Sequence, residues 1–414
     1  MCTNILKQTE VIKMNKEIKL NKILSKIFDD ERLIIENRRH IHQNPELSFK
    51  EFNTMRYVCS QLDEIGVSYT QGIAETGILV CINGEKQTES PKTLLIRADM
   101  DALPICEVSD KPYRSINEGV MHACGHDAHT AILIEVCRVL NAFKADFSGT
   151  VKLVFQPGEE TRGGAKPMID SGVLKNPDTD ACIALHMDPD IPSGKIRVKP
   201  GSLYASPDDF YITVIGRGGH GAEPHRCIDP IAISAEIINA LMNIVSREID
   251  PFDEAVVSVG SIHSGTATNI IPDTAEIAGT ARSLTNEVRA QLKRRIGETA
   301  YGICAAHGAK CEYSFSELFP PLINDRELSE RLYRVACRII GEENCIFGGR
   351  ATMAGEDFSY FSQERPSVLF KLGCRNEELG ITAPIHHNKF DIDESTMKYG
   401  AAVFCEFAVD FLNR

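Results

Sequence analysis

The stretch TVKLVFQPGEE, Thr150 to Glu160, joins a short apolar run containing β-branched residues to a Pro-Gly turn and then to two adjacent carboxylates. The run reads as a buried strand ending at Phe155, and Pro157-Gly158 turns the chain out of it. Similar runs stand at Gly77 to Ile82, Thr93 to Arg97 and Ala181 to Leu185. Between them, from about His126 to Phe143, apolar residues recur at helical spacing, with Ala128, Ile132, Val136 and Val139 on one face. Two more helices are predicted at Asp29 to His42 and Glu51 to Ile65, the first broken by Asn44-Pro45. Strands alternating with helices predict an α/β layer fold, a mixed, mostly parallel sheet flanked by helices.

After Pro200 the order changes. Strand Asp209 to Ile215, helix Pro230 to Arg247, strands Ala255 to Ile262 and Thr274 to Arg282, helix Glu287 to His307 and strand Lys310 to Phe315 follow one another. This βαββαβ order is that of a ferredoxin-like α+β unit. Residues 196–315 are therefore expected to form an inserted domain, with 31–195 and 316–414 making up the first, α/β domain and 1–30 an N-terminal extension of undetermined role. Two domains also suit 414 residues, more than one core usually serves.

The composition, 43% hydrophobic and 25% charged, is that of an ordinary soluble chain. With no apolar run of eighteen residues, a membrane span is not expected. A net charge of −13 argues against a nucleic-acid partner, so an anionic substrate needs a local Arg. The 14 cysteines are scattered without the dense spacing of a secreted scaffold, which points to reduced thiols and a cytoplasmic location.

Residues able to bind metal gather where open α/β sheets place ligands, at the ends of strands. MHACGHDAH, Met121 to His129, offers Cys124 and His126 on the turn entering a helix. A thiolate and an imidazole two residues apart reach one ion from an extended turn; alternatively Cys124 is simply buried and the histidines lie on a solvated turn. In QPGEE one carboxylate of Glu159 and Glu160 can bind metal while the other handles a proton, although such pairs are also common on surfaces. His186 follows the strand ending at Leu185, and His386 lies in PIHHNKFDIDE. Each histidine alone reads as readily as a satisfied polar residue. Their concurrence supplies ligands for two closely spaced divalent ions.

RADMDALP (Arg97 to Pro104), MHACGHDAH, QPGEE, LHM (Leu185 to Met187), GRGGHGAEPH (Gly216 to His225), TNIIPDTAEIAGTAR (Thr268 to Arg282), AGEDFSYF (Ala354 to Phe361) and PIHHNKFDIDE occur in an order that resembles the aminoacylase and carboxypeptidase family of co-catalytic metallohydrolases. RRHIHQNPELSF (Arg38 to Phe49) is similar to the opening motif of its N-acyl amino acid amidohydrolase branch, which includes hippurate hydrolases, auxin-conjugate hydrolases and N-acetyl-diaminopimelate deacetylases. The resemblance implies that Cys124, His126, Glu160, His186 and His386 are metal ligands and Glu159 the general base. Where the wider family has His-x-Asp, this chain reads Asp99-Met100-Asp101; His126 then replaces the histidine, and Cys124 takes the place of the bridging carboxylate. A thiolate favours zinc over magnesium, with manganese, cobalt or nickel as alternatives.

The same resemblance implies that His220 reaches the site of a partner subunit as an oxyanion donor, that Asn269 and Arg282 clamp the substrate carboxylate, and that Gly355 lines the pocket. An edge strand of the inserted domain suits a homodimer or higher homo-oligomer, giving that domain a dimerisation and lid role. The expected activity is hydrolysis of N-acyl amino acids by metal-activated water. Two other readings remain open at this point: a metallo-dipeptidase or carboxypeptidase, and a metal-binding protein without hydrolytic activity. The acyl group, the amino acid and the physiological metal are not legible in the sequence.

Overall fold

The computed structural model describes residues 22–161 and 163–413, which fall into two units: residues 1–200, 324–349 and 361–414 in the first, 201–323 and 350–360 in the second. Residues 1–21 of the expected N-terminal extension lie outside the described residues. Residues 22–29, by contrast, are helical, and Ile23 and Ile27 are buried in the core of the first unit.

The first unit is built on an eight-stranded sheet of β1 (Tyr69–Ile73), β2 (Gly77–Asn83), β3 (Thr93–Asp99), β4 (Thr150–Gln156), β5 (Ala181–Pro192), β6 (Ile196–Val198), β7 (Cys345–Phe347) and β8 (Ser367–Arg375). Their spatial order is β1-β2-β4-β3-β5-β8-β6-β7. The central pairs β4–β3, β3–β5 and β5–β8 are parallel, and antiparallel pairing enters at β1–β2, β2–β4 and β8–β6. All seven residues of β3 are buried, as a strand covered on both faces requires. Helices α1 (Glu31–Gln43), α2 (Phe52–Ile65), α3 (His126–Ala142), α4 (Arg326–Ile340) and α5 (Met397–Leu412) flank the sheet. The fold class is therefore the mixed, mostly parallel α/β arrangement that the alternation predicts.

Two sequence expectations need correction. Residues 196–198 form β6 and pair with β8 and β7, so the second unit begins at Gly201, five residues later than expected; it extends to Ile323 and takes in residues 350–360. β5 does not end at Leu185 but runs to Pro192, because β8 pairs with it along its length. Pairing with β3 stops at Ala184, so His186 lies just past the end of that neighbour while still within a strand.

The second unit carries a four-stranded antiparallel sheet in the order Ala255–Ser264, Thr274–Ser283, Ser206–Ile215, Lys310–Ser316, with helices Pro230–Glu248 and Asn286–Ala306 packed on it through a separate apolar core. This is the ferredoxin-like order. Asp229 and Thr285 cap the two helices through their side chains.

α3 is buried on nearly every side, because α1, α2, α5 and β3 all pack against it. That enclosure traps Glu135, whose carboxylate oxygens are buried without a hydrogen-bond partner beside Asp30, with Lys26 and Arg138 as the neighbouring cations. Burial, and then the Asp30 charge, push its pKa from 4.5 up to about 8. The folded state thus holds a proton that the unfolded chain has lost, and this contribution to stability, complete below pH 4.5, disappears as pH rises through 8. Glu135→Gln should raise the melting temperature at pH 8.5 by about 2–4 °C for each kcal/mol gained, and have little effect at pH 5. An equal shift at both pH values in paired thermal melts would contradict this account.

Candidate metal centre

Four segments of the first unit converge at the carboxyl ends of its parallel strands. β3 leads into Asp99-Met100-Asp101, β4 into Gln156–Glu160, β5 carries His186, and the turn before α3 carries Cys124. Gly125 takes φ +92° at the start of α3, and an added Cβ would lie 3.0 Å from Met187 Cγ, so only glycine lets this turn close against β5. His386 reaches the same place from the C-terminal loop, its own backbone at φ +61° and held there by an N–H donated to Ala123 O at 2.7 Å. A histidine in the left-handed region is strained, and strain of this kind gathers at functional sites.

The ligand atoms of Cys124, His126 and His186 lie within 4.8 Å of one another, and so do those of Cys124, Glu160 and His386. The thiol is common to both groups. Glu159 stands beside them, grouped with His126 and Glu160 at the same spacing. Individual separations are 3.5 Å from Cys124 Sγ to His186 Nε2, 3.3 Å from His386 Nε2 to Glu160 Oε1, and 3.8 Å from His126 Nε2 to Glu160 Oε1.

Hydrogen bonds to the outer nitrogens fix which ring atoms face inward. His126 Nδ1–H donates to Asp101 O at 3.0 Å, and His186 Nδ1–H to Met187 O at 2.7 Å. A carbonyl oxygen only accepts, so both Nδ1 atoms are protonated and both Nε2 lone pairs point into the cluster. His129 is the opposite case. Its Nε2 accepts the Met187 N–H at 2.9 Å and its Nδ1–H donates to Asp99 at 2.6 Å, so its lone pair is already used. It braces the site rather than supplying a ligand. His387 turns away, its Nδ1 accepting the Lys389 N–H at 3.1 Å.

Charge decides what fits the centre. Asp99, Asp101, Glu159 and Glu160 meet here, and Arg97 neutralises Asp99 at 2.6 Å. Burial works against the Asp99 carboxylate, but Arg97, His126 and His129 outweigh it and hold the group well below the usual range. Burial, then Glu160, push the Cys124 thiol well up, and burial, then Lys371, drive the His186 imidazolium well down. His126 Nε2 and Glu160 Oε1 are buried with no hydrogen-bond donor. Buried polar atoms that lie this close without a hydrogen bond are costly alone and well placed around a cation. One thiol, three imidazoles and a carboxylate form a donor set suited to borderline-soft divalent metals.

Asp101 is the residue that sequence reasoning passed over. Buried, it accepts from the Ser48 hydroxyl at 2.6 Å, from Glu159 N–H at 3.1 Å and from Glu160 N–H at 3.0 Å, and its Oδ1 is 3.2 Å from His126 Nδ1. Two acidic residues inside the apolar run of RADMDALP were the available signal.

The remaining expected residues belong to the second unit. Gly219–His220 pairs antiparallel with Ile270–Ile271, and Gly221 N–H donates to Asn269 O at 2.8 Å, so His220 and Asn269 share one small ribbon. His220 is exposed, its Nδ1 accepting the Ala222 N–H at 3.1 Å. Arg282 lies on strand Thr274–Ser283 with Nη1 3.5 Å from Met353 O. Gly355 sits so close to Pro207 that an added Cβ would come within 2.7 Å of it.

Residues 95–410 match peptidase family M20/M25/M40. Thermostable carboxypeptidase 2 of Saccharolobus solfataricus is 40% identical over 399 residues, 95% of this chain and 99% of that protein. Hippurate hydrolase of Campylobacter jejuni is 37% identical over 375 residues, 91% and 95% of the two chains. Among solved structures, a dinuclear metal-binding peptidase of the M20 family from Bacillus subtilis superposes with a TM-score of 0.81 at 34% identity, covering 92% of this chain and 98% of its own.

Because Cys124 belongs to both ligand groups, Cys124→Ser should lose most of the divalent metal that survives dialysis, whereas His387→Ala should keep it. Elemental analysis of the dialysed proteins checks this; a full complement in the serine variant would remove Cys124 from the ligand set.

Proposed function

The chain belongs to peptidase family M20/M25/M40, and from that premise we propose that it is a metal-dependent amidohydrolase that cleaves N-acyl amino acids to a carboxylic acid and a free amino acid. The observation that carries the reading is a buried thiol shared by two ligand groups, with a second carboxylate, Glu159, beside them. Cys124, His126 and His186 would hold one divalent ion, and Cys124, Glu160 and His386 a second. Zinc is the metal that this donor set favours, with manganese, cobalt or nickel as alternatives. Such ions supply Lewis acidity, lowering the pKa of water from about 15.7 toward about 7.

Glu159 is the proton acceptor in this scheme. Its backbone is fixed by Asp101 and its side chain is largely buried, so the carboxylate meets the attacking water in one orientation. It then returns the proton to the leaving nitrogen. His220, from a partner subunit, donates to the oxyanion, while Asn269 and Arg282 bind the carboxylate of the amino acid, Arg282 through the bidentate geometry that a guanidinium provides. Gly355 lines the substrate pocket in this reading. A site completed across subunits makes the protein a homodimer or higher homo-oligomer, with the second unit as dimerisation and lid domain.

A carboxypeptidase reading also has support, since a relative at 40% identity carries that name. No helix among the described residues is long and apolar enough to cross a membrane, and the thirteen described cysteines are free thiols, which suits a cytoplasmic enzyme.

A panel of N-acetyl and N-benzoyl amino acids, the same compounds with amidated carboxylates, and dipeptides tests the substrate class. The acyl amino acids should turn over fastest, and Arg282→Lys should raise their KM by about 10- to 100-fold, a charged hydrogen bond contributing about 1.5–3 kcal/mol, while sparing the amidated compounds. Faster dipeptide turnover would move the protein to the peptidase reading.

Glu159→Gln should keep its metal and lose about 10²- to 10⁴-fold in kcat. His220→Ala should lose about 10²- to 10³-fold. If His220 serves a partner's site, mixing the two inactive variants and allowing subunits to exchange should restore activity through sites that carry both groups. Demonstrated exchange without recovery would confine His220 to its own chain or to no catalytic role.

A further inference from the structure

The loop that carries Glu159 is held by its backbone, through two carboxylates. Gly158 N–H donates to Glu51 Oε1 at 3.0 Å, Glu159 N–H to Asp101 Oδ1 at 3.1 Å and Glu160 N–H to Asp101 Oδ2 at 3.0 Å. Three successive amides are thus taken, two of them by an acid of the metal centre. The third goes to Glu51, which stands immediately before α2, 107 residues away in the chain, and has no place in either ligand group.

Glu51 is fully buried. Its Oε1 also accepts the Phe49 N–H at 2.9 Å, and its Oε2 accepts the hydroxyl of the buried Thr76 at 2.6 Å. Phe49 is itself in the left-handed region, φ +60°, and its ring lies so close to Gly158, φ +68°, that an added Cβ would be 2.6 Å from it. One carboxylate therefore ties down both backbones that meet at this contact. A buried acid near a second one is a costly arrangement, since burial and the Asp101 charge oppose its ionisation. The hydrogen bonds donated by Gly158, Phe49 and Thr76 offset that cost.

We propose that Glu51 is a positioning residue for hydrolysis: by holding the Gly158 amide and the Phe49 backbone it sets the direction in which the Glu159 carboxylate points. The proposal rests on Glu159 as proton acceptor. A displacement of about 1 Å in a reacting group costs about 10²-fold in rate, so a loop anchor remote from the substrate acts on kcat and not on binding.

The test uses the metal-loaded enzyme with Glu51→Leu, Glu51→Gln and Thr76→Val, each alone and combined with Glu159→Gln. Glu51→Leu removes both acceptors and should lower kcat about 10- to 100-fold with KM within about twofold and metal content unchanged. Glu51→Gln keeps an oxygen for the Gly158 amide and should recover most of the rate. In the Glu159→Gln background, Glu51→Leu should cost no more than about twofold, because a residue acting through Glu159 has nothing left to position. Thr76→Val, which leaves the loop and Glu51 in place, should give a smaller loss with the same dependence on Glu159, and it decides the question if Glu51→Leu does not fold. The proposal is overturned if Glu51→Leu or Thr76→Val keeps full kcat, if Glu51→Gln is as slow as Glu51→Leu, if metal is lost, or if the losses are equal in both backgrounds. A fully active Glu159→Gln would instead overturn the assignment of the proton acceptor itself.

Discussion

The carboxylate of Asp101 is the fixed point of the metal centre. It takes the amides of Glu159 and Glu160, the hydroxyl of Ser48 and the edge of the His126 ring, so the loop after β4, the segment before α2 and the start of α3 are all referred to one buried group. A buried carboxylate is tolerated only when its lone pairs are occupied, and here every occupant is an element that the site needs in place. The demand runs in both directions. The charge stays buried because the donors converge, and the donors stay aligned because the charge is there.

The same logic sets the protonation pattern around it. Each of the inner histidines has a backbone partner, and backbone groups cannot exchange donor for acceptor. Asp101 O and Met187 O make His126 and His186 present lone pairs, whereas Met187 N–H makes His129 withhold one. Three neighbouring imidazoles thus divide into two that can bind a cation and one that cannot, a distinction invisible to residue type. The buried thiol, opposed by the low dielectric around it, is stable as an anion only beside a positive charge.

Parallel pairing through the centre of the sheet brings these groups to one end. β3, β4 and β5 run in register, so residues that follow each strand emerge side by side, and the antiparallel strands are left to the edges. The inserted unit keeps its own sheet and core, which is why its motifs could be read as a separate folding unit although they interrupt the first in sequence.

The sequence by itself determined the alternation of elements, the α/β class and the ferredoxin-like order of the insertion, because period and turn residues are local properties. It also offered Cys124, His126, Glu160, His186 and His386 as candidates, through their concurrence at strand ends and loops and the resemblance that their ordered motifs carry. Tertiary structure decided what those residues face. Asp99 and Asp101 look in sequence like a polar interruption of a strand end, and Glu51 like an ordinary acid before a helix; only the fold sets Glu51 against an amide 107 residues away. His186 was expected at a strand end, yet whether a residue lies at the end or beyond a neighbour depends on which strands pair, and β8, from near the C-terminus, extends β5 past it. The unit boundaries shifted for the same reason: β6 joins the large sheet through β8 and β7, which follow the insertion, and no local pattern records that pairing. Hydrogen bonds between distant segments carry no periodicity along the chain, so the groups that orient the site became legible only when the chain was folded.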